Sequence, residues 1–167
     1  MSEQPILQVD GLTKSFGGIR ALNGVSFELK QNELLGVIGP NGSGKTTLVN
    51  LITRFVHPSS GRVRFKGRPI HRLPAHRIVR LGIARTFQMV RPFYQLPAYK
   101  NMIVPLYSPR VKGLLGGRYG DRNAVALDML EEVGFERDAF VAYKVASALP
   151  QGYLKRLELA KAIALQP

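Results

Sequence analysis

Residues Gly39 to Thr47 read GPNGSGKTT, and no other stretch restricts the fold so strongly. Gly39, Gly44, Lys45 and Thr46 stand in the spacing G-x-x-x-x-G-K-[ST] of a phosphate-binding loop. Glycines let backbone wrap closely round a polyphosphate, so that successive N–H groups and the start of the following helix face negative oxygens. Lys45 is placed to reach the outer phosphates and the Thr46 hydroxyl to ligate Mg²⁺, while Pro40, Asn41, Gly42, Ser43 and Thr47 complete the cradle. Such a loop needs a strand before it and a helix after it. Glu33 to Ile38 predicts a buried strand, and Thr46 to Arg54 predicts a helix with Leu48, Leu51 and Ile52 on one face.

A length of 167 residues suits one ordinary domain and permits a real core. The chain has no cysteine, which excludes a disulfide scaffold and a thiolate metal site. Its start, MSEQPILQVD, lacks the basic-then-apolar order of a secretory signal, and no apolar run approaches the ~20 residues that cross a bilayer. The expectation is a soluble, cytosolic chain. Lys and Arg number 24 against 11 Asp and Glu, a formal charge of +13. Nucleic-acid binding, a seat beside an anionic membrane leaflet, or an acidic part of a longer parent protein that this sequence lacks each fits that balance.

Leu7 to Thr13 and Val25 to Leu29 alternate as strands, the second with Val25, Phe27 and Leu29 on one face. They predict an antiparallel layer beside the nucleotide core. Phe16-Gly17-Gly18 lies between them, and the Phe16 ring either stacks on a base or serves as an ordinary turn or core residue. Arg62 to Lys66 predicts a strand with its basic residues outward. Pro74 opens a short helix whose apolar side is Ile78, Val79 and Leu81 and which stops at Gly82. Gly82 to Gln88 predicts a further strand ending in an amide that either reaches the ligand crevice or lies in solvent.

Arg91 to Lys100 mixes aromatics with positive charge, as a base-stacking surface or a loop docking on a protein does. Tyr107 to Gly120 reads as an exposed connection. Asp121 caps a helix carrying Ala124, Leu127, Leu130 and Val133 on one side, stopped by Gly134 and clasped by Phe135. Leu149-Pro-Gln-Gly-Tyr153 leads into a last helix, Leu154 to Leu165, with Leu157, Ala160, Ile163 and Ala164 inward. His57, His71 and His76 lack metal-ligand spacing. The organisation expected is an antiparallel layer and phosphate-loop core over 1–90, a segment and linker over 91–120, and a helical lobe with its last helix over 121–167.

In the order of these landmarks the chain resembles the nucleotide-binding subunit of ATP-binding cassette (ABC) transporters. The resemblance rests on Phe16, GPNGSGKTT, Gln88 within GIARTFQ, a helical insert, and LPQGYLKRLELAKAIAL in the place of the signature motif. It implies an α/β fold: a phosphate-loop NTPase core with an antiparallel layer and a helical lobe. It implies that Phe16 stacks on adenine, that Lys45 and Gln88 serve catalysis, and that Thr46 and Gln88 hold Mg²⁺ beside ATP. Leu149, Gln151 and Gly152 would meet the nucleotide of an opposite subunit, though Pro150 stands where the family has a serine hydroxyl. GIARTFQ, the Gly-rich insert and the LP start are most similar to the subunits of branched-chain amino acid importers. The partners implied are a second ABC ATPase subunit, the same or different, membrane-spanning permease subunits whose helix enters a groove lined by the segment after Gln88, and indirectly a periplasmic or extracellular solute-binding protein. The place implied is the cytoplasmic face of the inner membrane, without nucleic acid. A DNA-associated ATPase of the same superfamily and a non-catalytic remnant are the alternatives.

After LELAKAIALQP the family pattern continues into an apolar strand ending in Asp-Glu and, later, a switch histidine. The Walker B aspartate, the catalytic glutamate and that histidine have no counterpart among these residues. The expectation is a chain that binds ATP weakly, hydrolyses it little, and exposes apolar edge surface.

Overall fold

Leu7–Phe16 (β1) and Ile19–Leu29 (β2) form an antiparallel hairpin across Gly17 and Gly18 in the structure, a computed structural model that describes residues 4–114, 121–136 and 140–167. Ser60–Phe65 (β3) pairs with the other edge of β1, and the two-residue strand Arg68–Pro69 (β4) completes a wholly antiparallel sheet of order β2-β1-β3-β4. Side chains alternate across a strand. Val9, Leu12, Val63 and Phe65 are accordingly buried, while Arg62 and Arg64 are exposed.

The hairpin is irregular, because its register slips between Val9 and Leu12 and again between Leu12 and Lys14. Side chains repair the broken ladder: Gly11 N–H donates to Ser26 Oγ at 2.9 Å, and Gly24 N–H to Thr13 Oγ1 at 3.0 Å. Gly61 of β3 presses on the same irregularity. It sits at φ 95°, and a Cβ there would lie 2.5 Å from Gly11 O.

Lys45–Ile52 (α1) buries Leu48 and Leu51, and Ala75–Leu81 (α2) buries Ile78. The expected strand Glu33 to Ile38 does not form. Among the described residues no strand pairs with it, Leu34 is 100% and Ile38 94% exposed, and Leu35 and Val37 are exposed as well. A strand is stable only when its N–H and C=O groups find a ladder, so apolar character alone has not made one. The expected strand Gly82 to Gln88 lacks a ladder for the same reason.

The chain divides into two units, the first ending at Ile78 and the second starting at Val79. The second is helical: Ala98–Asn101 (α3), Ile103–Leu106 (α4), Pro109–Leu114 (α5), Arg122–Glu132 (α6) and Gln151–Ile163 (α7). Asp121 caps α6 by accepting from Asn123 N–H at 2.9 Å. Gly134 at φ 88° ends it, with buried Phe135 donating back to Leu130 O at 2.9 Å, the left-handed stop the sequence calls for. The core of this unit gathers Met102, Leu106, Ala126, Leu130, Phe135, Ala146 and Leu157. Two inward expectations are corrected, since Ala124 and Ile163 are exposed and the buried faces centre on Ala126 with Leu130 and on Leu157 with Ala160. The expected connection Tyr107 to Gly120 contains α5, and residues 115–120 lie outside the described ones.

Within this unit the segment 94–98 is joined to 144–147. Ser147 N–H donates to Tyr94 O at 3.0 Å, Ala146 N–H to Leu96 O at 2.9 Å, and Ala98 N–H to Lys144 O at 3.0 Å. Charge is unevenly spread along the sequence: between Glu33 and Asp121 there is no Asp or Glu at all. No helix among the described residues is long and apolar enough to cross a membrane.

Candidate functional site, a glycine-cradled phosphate loop

In the first unit the loop Gly39 to Gly44 turns directly into α1. Gly44 is the N-cap, left-handed at φ 90° and ψ 3°, and no side chain caps the helix. Its first-turn N–H groups therefore keep their capacity for an anion, reinforced by the positive end of the helix dipole. Only glycine fits this N-cap, because a Cβ would stand 2.5 Å from Ala21 O and 3.4 Å from the Leu22 side chain. The helix start is thus seated on β2. A Cβ on Gly39 would stand 2.7 Å from Ser43 Oγ, a contact that a turn of the serine hydroxyl relieves, so the strict demand for glycine falls on Gly44.

The Lys45 ammonium folds back over the loop, donating to Gly39 O at 2.7 Å and Pro40 O at 2.8 Å. Ser43 N–H donates to Pro40 O at 3.3 Å and draws the loop together. Asn41, Gly42 and Thr46 are exposed and Thr47 is half-buried. Sequence reasoning placed nine consecutive residues here, and the loop brings Lys45 onto Gly39 and Pro40 and Ser43 onto Pro40, while Gly44 rests against Ala21. The donor set fits a polyphosphate with its cation: backbone N–H groups and an ammonium for phosphate oxygens, and the Thr46 hydroxyl, a hard oxygen, for Mg²⁺.

Phe16 ends β1, exposed and paired with Ile19 across the turn, and the Lys14 ammonium lies 4.9 Å from its ring centroid. Ala21, which meets Gly44, is two residues beyond Ile19, so the tip of the hairpin and the helix start belong to one end of β2. Gln88 lies in the second unit, exposed in a bend that precedes buried Val90. Just before it, the Arg85 guanidinium lies 4.3 Å from the Phe87 ring centroid, and burial lowers its pKa from the ordinary guanidinium value.

Leu149 is buried, Pro150 is the N-cap of α7 without a side-chain cap, and Gln151 and Gly152 open that helix on the surface. A Cβ on Gly152 would meet nothing within 4 Å, so among the described residues no packing demands glycine there. Tyr153 turns inward and meets Phe135 edge-on, with centroids 5.1 Å apart. Arg156 reaches across to donate to Gly134 O at 2.6 Å, tying the end of α6 to α7. Asn101 was not singled out by sequence reasoning, yet it is 0% exposed. The signal was an amide between Tyr99-Lys100 and the apolar run Met102-Ile-Val104.

This geometry defines a nucleotide-binding protein of the phosphate-loop class. The sequence pattern of one family, "ABC transporter", matches residues 22–167. The chain is 38% identical over 98% of its length to the high-affinity branched-chain amino acid transport ATP-binding protein BraF of Pseudomonas aeruginosa, covering 67% of that protein. It is 36% identical, with the same coverage, to the LivG protein of the same description from Escherichia coli K12. A solved nucleotide-free ATP-binding cassette from an ABC transporter superposes with a TM-score of 0.80 at 29% identity, over 98% of this chain and 66% of that one. A cassette solved as a dimer bound to ADP and Pi gives 0.79 at 25% identity, over 96% and 70%. The chain belongs to the ABC transporter family. It spans about two thirds of the length of the relatives it matches.

Proposed function

We propose that the chain is the ATP-binding subunit of an importer of branched-chain amino acids. The observation that carries this reading is the glycine-cradled start of α1, where Gly44 rests on Ala21 and Lys45 lies over the loop. MgATP would be held by the loop N–H groups, by Lys45 at the outer phosphates and by Thr46 at the cation, with Phe16 against adenine. The relatives' names supply the solute class. Gln88 would add a ligand to Mg²⁺ and pass the state of the site to permease subunits, which would dock on the exposed side chains Phe93, Tyr94 and Leu96.

Closure of two ATP-binding subunits head to tail would bring Gln151 and Gly152 of one to the nucleotide of the other. The surface position of Gly152 and the open space beside it among the described residues support that contact. Pro150 offers no hydroxyl, so the contact would rest on backbone and the Gln151 amide. The complex would sit on the cytoplasmic face of the membrane beneath a solute-binding protein on the far side. Turnover by these residues alone is expected to be small, since positioned water and charge stabilisation carry phosphoryl transfer.

Titration of the chain with a fluorescent ATP analogue tests the reading. Saturable, Mg²⁺-dependent binding that Lys45→Ala weakens at least about tenfold is expected. Binding indifferent to both Mg²⁺ and Lys45 would refute it.

A further inference from the structure

Asn101 closes α3 and is wholly buried. Among the described residues its side chain bonds to backbone alone and wraps one turn of it. Oδ1 accepts from Phe93 N–H at 2.6 Å, and Nδ2 faces Pro97 O at 3.0 Å and the carbonyls of Phe93 and Leu96 at 3.3 Å each. One acceptor and two donors in a plane are what an amide alone among side chains provides, and the N–H partner at Oδ1 with carbonyls at Nδ2 fixes which way it points. Leu96 N–H returns to Phe93 O at 2.9 Å and the Tyr94 hydroxyl donates to Val90 O at 3.2 Å, so the turn is closed from both sides.

The same turn is the segment whose carbonyls at Tyr94 and Leu96 receive Ser147 and Ala146. Two residues after Ser147 comes buried Leu149, and then Pro150, Gln151 and Gly152 at the head of α7. One buried amide therefore sets the shape of an exposed aromatic turn and, through two backbone hydrogen bonds, the placement of the segment that delivers the head of α7.

We propose that Asn101 is a positioning residue that locks the Phe93–Pro97 turn and the 144–147 segment into one block, so that a partner seated on Phe93, Tyr94 and Leu96 moves the head of α7 with it. The functional half rests on the reading of that turn as the permease-facing surface. Asp at this position keeps the size and the acceptor, but removes both donors and sets a carboxyl oxygen against three carbonyls. An unmade buried hydrogen bond is costly, and here the loss falls on the turn.

The test follows amide hydrogen exchange in the full chain, together with its capture by nanodiscs carrying branched-chain amino acid permease subunits. In the unsubstituted protein the amides of Phe93, Ala146 and Ser147 should open as one unit with a common protection; independent exchange of the three overturns the block. In Asn101→Asp those three amides should exchange about tenfold faster or more, with Leu130 and Leu157 unchanged. Capture should fall about tenfold, while the affinity for the ATP analogue holds within about twofold. Uniform acceleration that includes Leu130 and Leu157 would reduce Asn101 to general stability, and loosened amides with capture intact would end its positioning role. If the unsubstituted chain is not captured, the permease-facing reading falls, and the exchange measurements still decide the block.

Discussion

The Lys45 ammonium lies 2.7 Å from the carbonyl oxygen of Gly39, the first glycine of the same loop. The lysine thus helps to shape the loop it serves, and it must trade these carbonyls for phosphate oxygens when nucleotide enters. Charge-assisted hydrogen bonds contribute about 1.5–3 kcal/mol each. Lys45→Ala is expected to raise the Kd for an ATP analogue about ten- to a hundredfold and, because the carbonyls of Gly39 and Pro40 are solvent-accessible once the ammonium is gone, to lower the melting temperature by only a few degrees, as read by titration and thermal unfolding side by side. An equal loss of both would assign Lys45 to folding instead.

Thr46 is exposed at the second position of α1. If its hydroxyl holds Mg²⁺, chelation should weaken nucleotide binding in the unsubstituted chain and do so markedly less in Thr46→Val. A Thr46→Val chain that responds to chelation as strongly as the unsubstituted one would place the cation elsewhere.

Gly61 and Gly67 both lie at positive φ, 95° and 74°, but a Cβ on Gly61 would strike Gly11 and Leu12 backbone while one on Gly67 would meet nothing within 4 Å. Left-handed backbone costs a side chain about 1 kcal/mol, and a clash with backbone adds about 1–3 kcal/mol. Gly61→Ala is therefore expected to destabilise the sheet by about 2–4 kcal/mol and Gly67→Ala by about 1 kcal/mol in denaturant unfolding. Equal costs would show that β3 has room beside β1.

Pro150 caps α7 with extended backbone, φ −56° and ψ 152°, and no side-chain hydrogen bond. Serine in that conformation satisfies a free N–H of the first turn, a gain of about 0.5–2 kcal/mol. Pro150→Ser should raise the melting temperature by a few degrees and, under the reading of α7 as the contact to an opposite nucleotide, strengthen ATP-dependent dimer formation. Unchanged dimerisation with raised stability would separate the cap from that contact.

Leu34, Leu35, Val37 and Ile38 form an exposed apolar run with no ladder among the described residues. Unpaired backbone and apolar side chains together favour edge-to-edge association. The chain should self-associate with rising concentration in sedimentation, and Leu34→Lys with Ile38→Lys should suppress this. A monodisperse unsubstituted chain at micromolar concentration would show that the run is protected.

What the sequence disclosed was whatever local chemistry decides. The G-x-x-x-x-G-K-[ST] spacing named the loop, Asp121 and Gly134 marked the ends of α6, and alternation located β1, β2 and β3. Glu33 to Ile38 misled because a strand is settled by its neighbours, and periodicity does not say whether they are present. The short helices α3 to α5 lack the repeats that a pattern needs, so α3 and α4 went unread and the connection Tyr107 to Gly120 was read without α5. Asn101 stayed hidden because its significance lies in backbone carbonyls four to eight residues away, which no spacing rule reports. For the site, the loop and its glycines were legible; the Lys45 contacts and the Gly44–Ala21 approach were not, because they depend on how the loop folds back and on β2, which no local spacing reports.

A chain of formal charge +13 with no carboxylate in its sequence between Glu33 and Asp121 presents a basic surface overall, and this has a consequence for how affinity is measured. Such a surface collects small counterions, and their release favours attachment of any polyanion in dilute buffer. ATP is one such polyanion. At about 0.15 M salt the Debye length is about 8 Å, and diffuse attraction fades while hydrogen bonds inside a loop persist. The share of binding that survives this screening is the share that belongs to the cradle.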